Sequence, residues 1–231
     1  MSIITDEEFG KITIRRSARA TQVRIRVAPD GTLRASLPLY APLWVVKRLI
    51  KSSRDQLRSL IKASRPSLKV EDGMRIGKSH SLLVTRTHGE KSKVSRTKQH
   101  IIVELAGHDE LTDGHIEKEV RDMIIDTLRK EAKSYLPRRL QYLADQMGMH
   151  YERVRFSHAS SRWGSCSSTG TISLNIALMK LPFELIDYVI VHELAHTQHM
   201  DHSKAFWQLV LAMDPHYIQH RRLLGKETPS I

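Results

Sequence analysis

The sequence predicts an α+β protein in which a basic, strand-rich N-terminal region precedes a helical C-terminal domain. Three observations carry this reading. Apolar and polar residues alternate through residues 11–37, the period of a strand with one wet face. From about Asp113 onward apolar residues recur at three and four, the period of amphipathic helices. The charge is also lopsided: of a net +12, all is accounted for between Lys11 and Arg65, where fourteen Lys and Arg face only Asp30 and Asp55.

Taken in order, Ile12 and Ile14, then Val23, Ile25 and Val27, then Leu33, Ala35 and Leu37 mark the apolar faces of strands. Pro29-Asp30-Gly31 predicts a hairpin turn, with Arg24 and Arg26 on the exposed face. Pro42 opens a helix that runs to about Ser64 and stops before Pro66. Val46, Leu49, Ile50, Leu57, Leu60 and Ile61 form its apolar stripe, and Lys47, Lys51, Arg54, Arg58 and Lys62 share another face. Residues 68–105 read as strands again, with a turn at Glu71-Asp72-Gly73 and a strand through Ile101-Ile102-Val103. The polar break from Ala106 to Gly114 divides the chain into a region 1–108 and a domain 109–231.

A long helix follows from about Asp113, with Ile116, Val120, Met123, Ile124, Thr127 and Leu128 on its apolar face. Pro137 kinks it or starts a second helix, which ends at Gly148. Val154 and Phe156 suggest one strand and Thr171 to Ile176 another, joined through Ser160-Ser161-Arg162-Trp163-Gly164-Ser165-Cys166. Pro182 and Phe183 begin the next helix, which Asp201-His202-Ser203 breaks. Lys204 to Met213 forms one more, and Pro215 starts a last short one. No internal repeat or low-complexity tract is visible.

Composition narrows the classes. A hydrophobic fraction of 40% suits a globular protein with a real core. The single cysteine, Cys166, leaves no intrachain disulfide and no Cys-rich zinc site, so a metal would need His and carboxylate ligands. No apolar stretch approaches the roughly 20 residues of a membrane span, and the opening MSIITDEEFG lacks the basic start and apolar run of a signal peptide. These features predict a cytoplasmic protein with no membrane partner. The basic region predicts an anionic partner such as nucleic acid, with Lys47, Lys51, Arg54 and Arg58 as its contacts.

The segment His192-Glu193-Leu194-Ala195-His196 matches the H-E-x-x-H pattern of zinc hydrolases. Helical residues four apart stack on one face, so both imidazoles can reach a single Zn2+. Glu193 is rotated by about 100° and stands beside the ion, placed to take a proton from its water. Ile186, Val189, Ile190 and Leu194 supply an apolar back for the helix. A catalytic zinc takes three protein ligands, and His202, six residues after His196, is the choice for the third. The helix must end for His202 to swing back, and His199 stands where metzincins place a turn glycine. Asp214 is the alternative ligand. His199 lies about 10 Å along the axis from His192 and reads as a rim residue. His158, His216, Tyr217 and His220 are unranked proton donors or oxyanion stabilisers.

The blocks Arg162-Trp163-Gly164-Ser165-Cys166, Thr171-Ile172-Ser173-Leu174-Asn175, Tyr188 to His196, and His202-Ser203-Lys204-Ala205-Phe206-Trp207 together resemble the YgjP-like metallopeptidase family, and more distantly SprT-type zincins. The resemblance covers most of the chain. It implies a zincin-like catalytic domain, a small sheet with the active-site helix behind it, acting on a peptide or protein substrate. It supports His202 as third ligand. It also implies that substrate pairs with an edge strand at Thr171 to Ile176, through Ile172 and Leu174, near a Trp163-Gly164 loop. Phe206 and Trp207 read as core residues packed on the active-site helix, and Cys166 as structural. Two further readings stay open: a nucleic-acid-associated protease or binding factor recruited by the basic region, and a non-peptidase metal hydrolase.

Overall fold

The computed structural model describes residues 2–18, 20–28, 32–64 and 70–231. The chain divides into two compact units, Met1–Ser67 and Leu68–Ile231.

The first unit opens with β1 (Ser2–Asp6), β2 (Gly10–Arg16), β3 (Arg24–Val27) and β4 (Leu33–Leu37). They form one sheet in the order β1-β2-β4-β3, with β2 and β4 parallel and the outer strands antiparallel to them. The predicted turn Pro29-Asp30-Gly31 lies outside the described residues; its flanks pair, with Val27 opposite Leu33. Alternation turns Ile12, Ile14, Leu33, Ala35 and Leu37 to one face, where they share a core with Val46, Ile50 and Leu57. Those three come from α1 (Leu43–Ser52) and α2 (Arg54–Ser64), so the single helix expected over 42–64 is broken. At the break, Ser52 Oγ bonds the Leu49 carbonyl and Ser53 leaves helical geometry (φ −120°). Serine hydroxyls compete in this way with the helical backbone.

The basic stripe of these helices is partly neutralised. Arg54 bonds Asp6 at 3.1 Å and also Glu8, while Arg58 bonds Glu8 and, at 2.8 Å, Asp55. Arg58 and Arg54 hold the Glu8 carboxyl below its usual range. Asp6 and Glu8 precede the basic window in sequence, so the charge count over residues 11–65 omits them. Lys47 and Lys51 are exposed.

The second unit begins with β5 (Arg75–Ile76), β6 (His80–Thr87), β7 (Lys93–Arg96) and β8 (His100–Ala106). Their order, β5-β6-β8-β7, and their directions repeat those of the first sheet. A helix follows each sheet, so the chain does contain a repeat. It lies in topology, not in residue identity, which hid it from the sequence. The division expected at residue 108 falls inside this unit. Leu82, Ile101, Val103 and Leu105 of the sheet share one core with Ile116, Val120, Ile124 and Leu128 of α3 (Gly114–Met147). That shared burial makes sheet and helix one body. The helix continues through Pro137 and ends on Gly148 in left-handed geometry (φ 61°), as C-cap glycines do.

A third sheet comprises β9 (Arg153–Ser157), β10 (Gly164–Cys166) and β11 (Thr171–Asn175) in the order β10-β11-β9. A short 3-10 helix, Ile176–Lys180, leads into α4 (Phe183–Ala195), followed by α5 (Lys204–Met213) and α6 (Tyr217–Leu224). Ile231 packs back into the core. Among the described residues no helix is long and apolar enough to cross a membrane.

Candidate metal centre

Helix α4 is apolar nearly all round, with Leu185, Ile186, Val189, Ile190, Val191, Leu194 and Ala195 buried. Such a helix is held as a core element, which fixes the side chains that follow. His192 and Glu193 lie in its last turn, and His196 is its C-cap residue. The helix therefore ends where His202 needs it to end. The ring centroids of His192, His196 and His202 form a near-equilateral triangle with sides of 4.9, 5.1 and 4.8 Å.

One potential ligand nitrogen from each of the three rings lies within 4.8 Å of the other two. The Nε2 atoms of His192 and His202 are 3.2 Å apart. Two nitrogens on a tetrahedral zinc, each at about 2.0–2.1 Å, are separated by about 3.3–3.4 Å. The spacing thus fits a shared ion. His196 Nδ1 donates to the His199 carbonyl at 2.9 Å, which leaves its Nε2 as the ligand atom. His199, read from sequence as a rim side chain, contributes through its backbone. Burial and the neighbouring His196 and His202 push His192 down to about 4, and His202 is lowered by burial, His196 and Arg221. Neutral imidazoles are the form that binds metal.

The block that follows His202 now has a local cause. Ser203 caps α5 by accepting from the Phe206 N–H at 3.5 Å. This brings the fully buried Phe206 ring within 4.6–5.0 Å of all three imidazole centroids. Trp207 lies 5.9 Å from His192 and 5.7 Å from His202. Phe206 is a core residue, as expected, while Trp207 is half-buried against that core, and together they form the wall behind the imidazoles. Asp214, the alternative ligand, is engaged elsewhere: its Oδ2 bonds His220 Nδ1 at 2.7 Å.

Glu193 is buried at 6% exposure, and its Oε2 has no hydrogen-bond partner. Burial pushes its carboxyl up to about 8, against the nearby charge of Arg162. A buried carboxylate without a partner is costly unless a cation or water completes it. Gly164 of β10 sets its position. A Cβ there would lie 2.6 Å from Glu193 Oε1 and 2.7 Å from its Cγ. The glycine of the Trp163-Gly164-Ser165 block is therefore the one residue that lets β10 lie against the carboxylate.

The third sheet corrects the expected substrate strand. β11 is the middle strand, paired with β10 and β9 on its two sides, and Ile172 and Leu174 are fully buried. Neither residue can line a cleft. The edge strand near Glu193 is β10. Trp163 O accepts from Asn175 N, and Ser167 N donates to Thr171 O. By strand alternation the N–H and C=O groups of Gly164 and Cys166 then point to the open edge. Trp163 is half-buried against the core. Burial and Glu193 both raise the Cys166 thiol, which keeps it protonated.

Sequence reading missed two supports. Asn175 is fully buried and donates to the carbonyls of Ala159 (2.6 Å) and Arg162 (2.9 Å), anchoring the loop before β10. Tyr188 packs 6.0 Å from His192 and 6.3 Å from His220, and burial pushes its phenol up to about 12. Its place four residues before His192 was the available signal. Tyr217 stacks on Trp207 at 5.3 Å and His216 lies against His220, while His158 is outside the imidazole cluster.

Comparison with known proteins adds three findings. A family model described as YgjP-like, metallopeptidase domain matches residues 21–227. A UTP pyrophosphatase of Escherichia coli (strain K12) is 27% identical over 115 residues, 48% of this chain and 66% of that protein. The match therefore spans just under two thirds of that relative's length. The crystal structure of the metallopeptidase zymogen of Pyrococcus abyssi abylysin is 28% identical, with a TM-score of 0.36 over 39% of this chain and 92% of that one.

Proposed function

The chain belongs to the YgjP-like metallopeptidase family, and we propose on that footing that it hydrolyses peptide bonds with a zinc ion held by His192, His196 and His202. The observation that carries the proposal is the convergence of three imidazoles beside a buried, unpartnered carboxylate. When bound, the ion supplies Lewis-acid chemistry: it polarises a carbonyl and lowers the pKa of water toward about 7.

The remaining steps belong to the protein. Glu193 Oε2 accepts a proton from the attacking water as the new C–O bond forms. It then delivers that proton to the leaving nitrogen as the C–N bond breaks. The outward backbone groups of Gly164 and Cys166 hold the substrate as an added strand. Gly164 keeps Glu193 in place, and the Phe206 and Trp207 wall limits where the imidazoles can turn.

The UTP pyrophosphatase relative favours a second reading, hydrolysis of a phosphoanhydride at the same centre. One experiment separates the two: metal content and turnover of unfolded casein and of UTP, for the wild type and Glu193→Gln. Casein cleavage that disappears in a zinc-loaded Glu193→Gln chain supports the peptidase. UTP turnover without casein cleavage replaces it with the second reading. Zinc-loaded wild type inactive on both would count against either.

A further inference from the structure

We propose that the first unit binds the phosphodiester backbone of nucleic acid on the sheet face opposite its helices, through Arg15, Arg24 and Arg26. The register places this face. Strand alternation turns Ile12, Ile14, Ile25, Ala35 and Leu37 inward, so Lys11, Thr13, Arg15, Arg24, Arg26, Arg34 and Ser36 point outward. Two cross-strand rows result. Arg15, Ser36 and Arg24 form one, and Thr13, Arg34 and Arg26 the other. β1 adds Ile3 and Thr5 on the same side. No Asp or Glu stands among the strand residues of this face.

In the register Arg26 stands opposite Arg34, and Arg24 opposite Ser36. The second sheet repeats the topology without repeating the charge. At the corresponding outward positions of β7 and β8 it pairs Lys93 with Glu104 and Ser95 with Ile102. The cationic face is therefore particular to the first unit and is not imposed by the fold.

The shape and chemistry indicate phosphate. Arg15, Arg24, Arg26, Ser17, Thr21 and Gln22 surround a hollow of about 330 Å³. With its amide turned to accept, Gln22 receives Arg24 Nη2 at 3.1 Å, which steadies the guanidinium. Arginine presents a planar fork that bonds two phosphate oxygens at once. Arg24 and Arg26 are two residues apart on one strand, about 7 Å, so they can meet successive phosphates of a strand. Among the described strand residues of this face no aromatic side chain stands to stack on bases. The contact is expected to read backbone, not sequence. The helical stripe is the poorer site, because Asp6 and Glu8 already occupy Arg54 and Arg58.

The test is fluorescence anisotropy of the full chain with a labelled mixed-sequence DNA duplex of about 20 base pairs, at two salt concentrations. Three phosphate contacts give a slope of about −2.7 in log K against log salt, or about 40-fold weaker binding at 200 mM than at 50 mM. The Arg15→Ala, Arg24→Ala, Arg26→Ala triple variant is expected to bind at least tenfold more weakly at 50 mM and to lose that slope. Lys47→Ala with Lys51→Ala is expected to bind within twofold of wild type. Circular dichroism checks folding. Should the triple variant fail to fold, Arg26→Ala replaces it, with a slope smaller by about 0.9. Wild-type affinity in the arginine variant would overturn the assignment. So would an absence of duplex binding, or tighter binding to phosphatidylserine vesicles than to DNA. None of these outcomes depends on the metal centre.

Discussion

Replacing Gly164 with alanine tests how closely β10 and Glu193 depend on each other. The added Cβ would lie 2.6 Å from Oε1, 2.7 Å from Cγ and 2.8 Å from Cδ of Glu193. Carbon atoms in contact sit about 3.5–4.0 Å apart, so the carboxylate must retreat by about 1 Å. It is buried, so its neighbours must yield as well. Overpacking of this kind costs about 1–3 kcal/mol, which lowers the Tm of a unit this size by about 2–12 °C. A catalytic group displaced by about 1 Å loses about 100-fold in rate. The three atoms nearest the new methyl all belong to Glu193 and none to an imidazole. We therefore expect kcat/KM on the wild-type substrate to fall about 100-fold while bound zinc stays stoichiometric. Full activity in Gly164→Ala, or loss of the zinc, would refute the positioning role.

Three further outcomes follow from the same contacts. Asn175→Ala strands the carbonyls of Ala159 and Arg162 and should cost about 2–6 kcal/mol in urea denaturation, since each buried unpaired group costs about 1–3. Glu8 titrates below its ordinary 4.5 in the folded first unit. Its stabilising contribution is therefore full above pH 4.5 and is lost as pH falls through the lowered folded value. The stability gap between wild type and Glu8→Gln should close on acidification and not on alkalinisation, as read from denaturation midpoints across pH. Zinc at about 1,000 times its Kd should stabilise the second unit by about 4 kcal/mol, and a calorimetric scan of His196→Ala should show no such gain.

Much of the site was legible because it is local. His192, Glu193 and His196 share one helical turn, and the break before His202 is written in Asp201-His202-Ser203. The strand faces of the first unit were equally plain from their alternation. What stayed hidden depends on partners distant in sequence. Thr171 to Asn175 alternates as an edge strand would, yet β11 is central because β9 and β10 flank it, and periodicity does not encode a strand's place in its sheet. The break between Ala106 and Gly114 is a real loop, but burial of β8 against α3 keeps its two sides in one unit. Asp6 and Glu8 neutralise arginines nearly fifty residues later, which no local charge count can show. Gly164 read as part of a loop block, and only the approach of Glu193 explains why it must lack a side chain.

His192, His196 and His202 are proposed to hold one catalytic zinc ion together. Zinc K-edge X-ray absorption on the full chain, with metal analysis of the same sample, measures this directly. About one zinc per chain is expected, with three imidazole nitrogens at about 2.0–2.1 Å, and one imidazole fewer in His202→Ala. A chain that binds no zinc, or a His202→Ala spectrum identical to wild type, would contradict it.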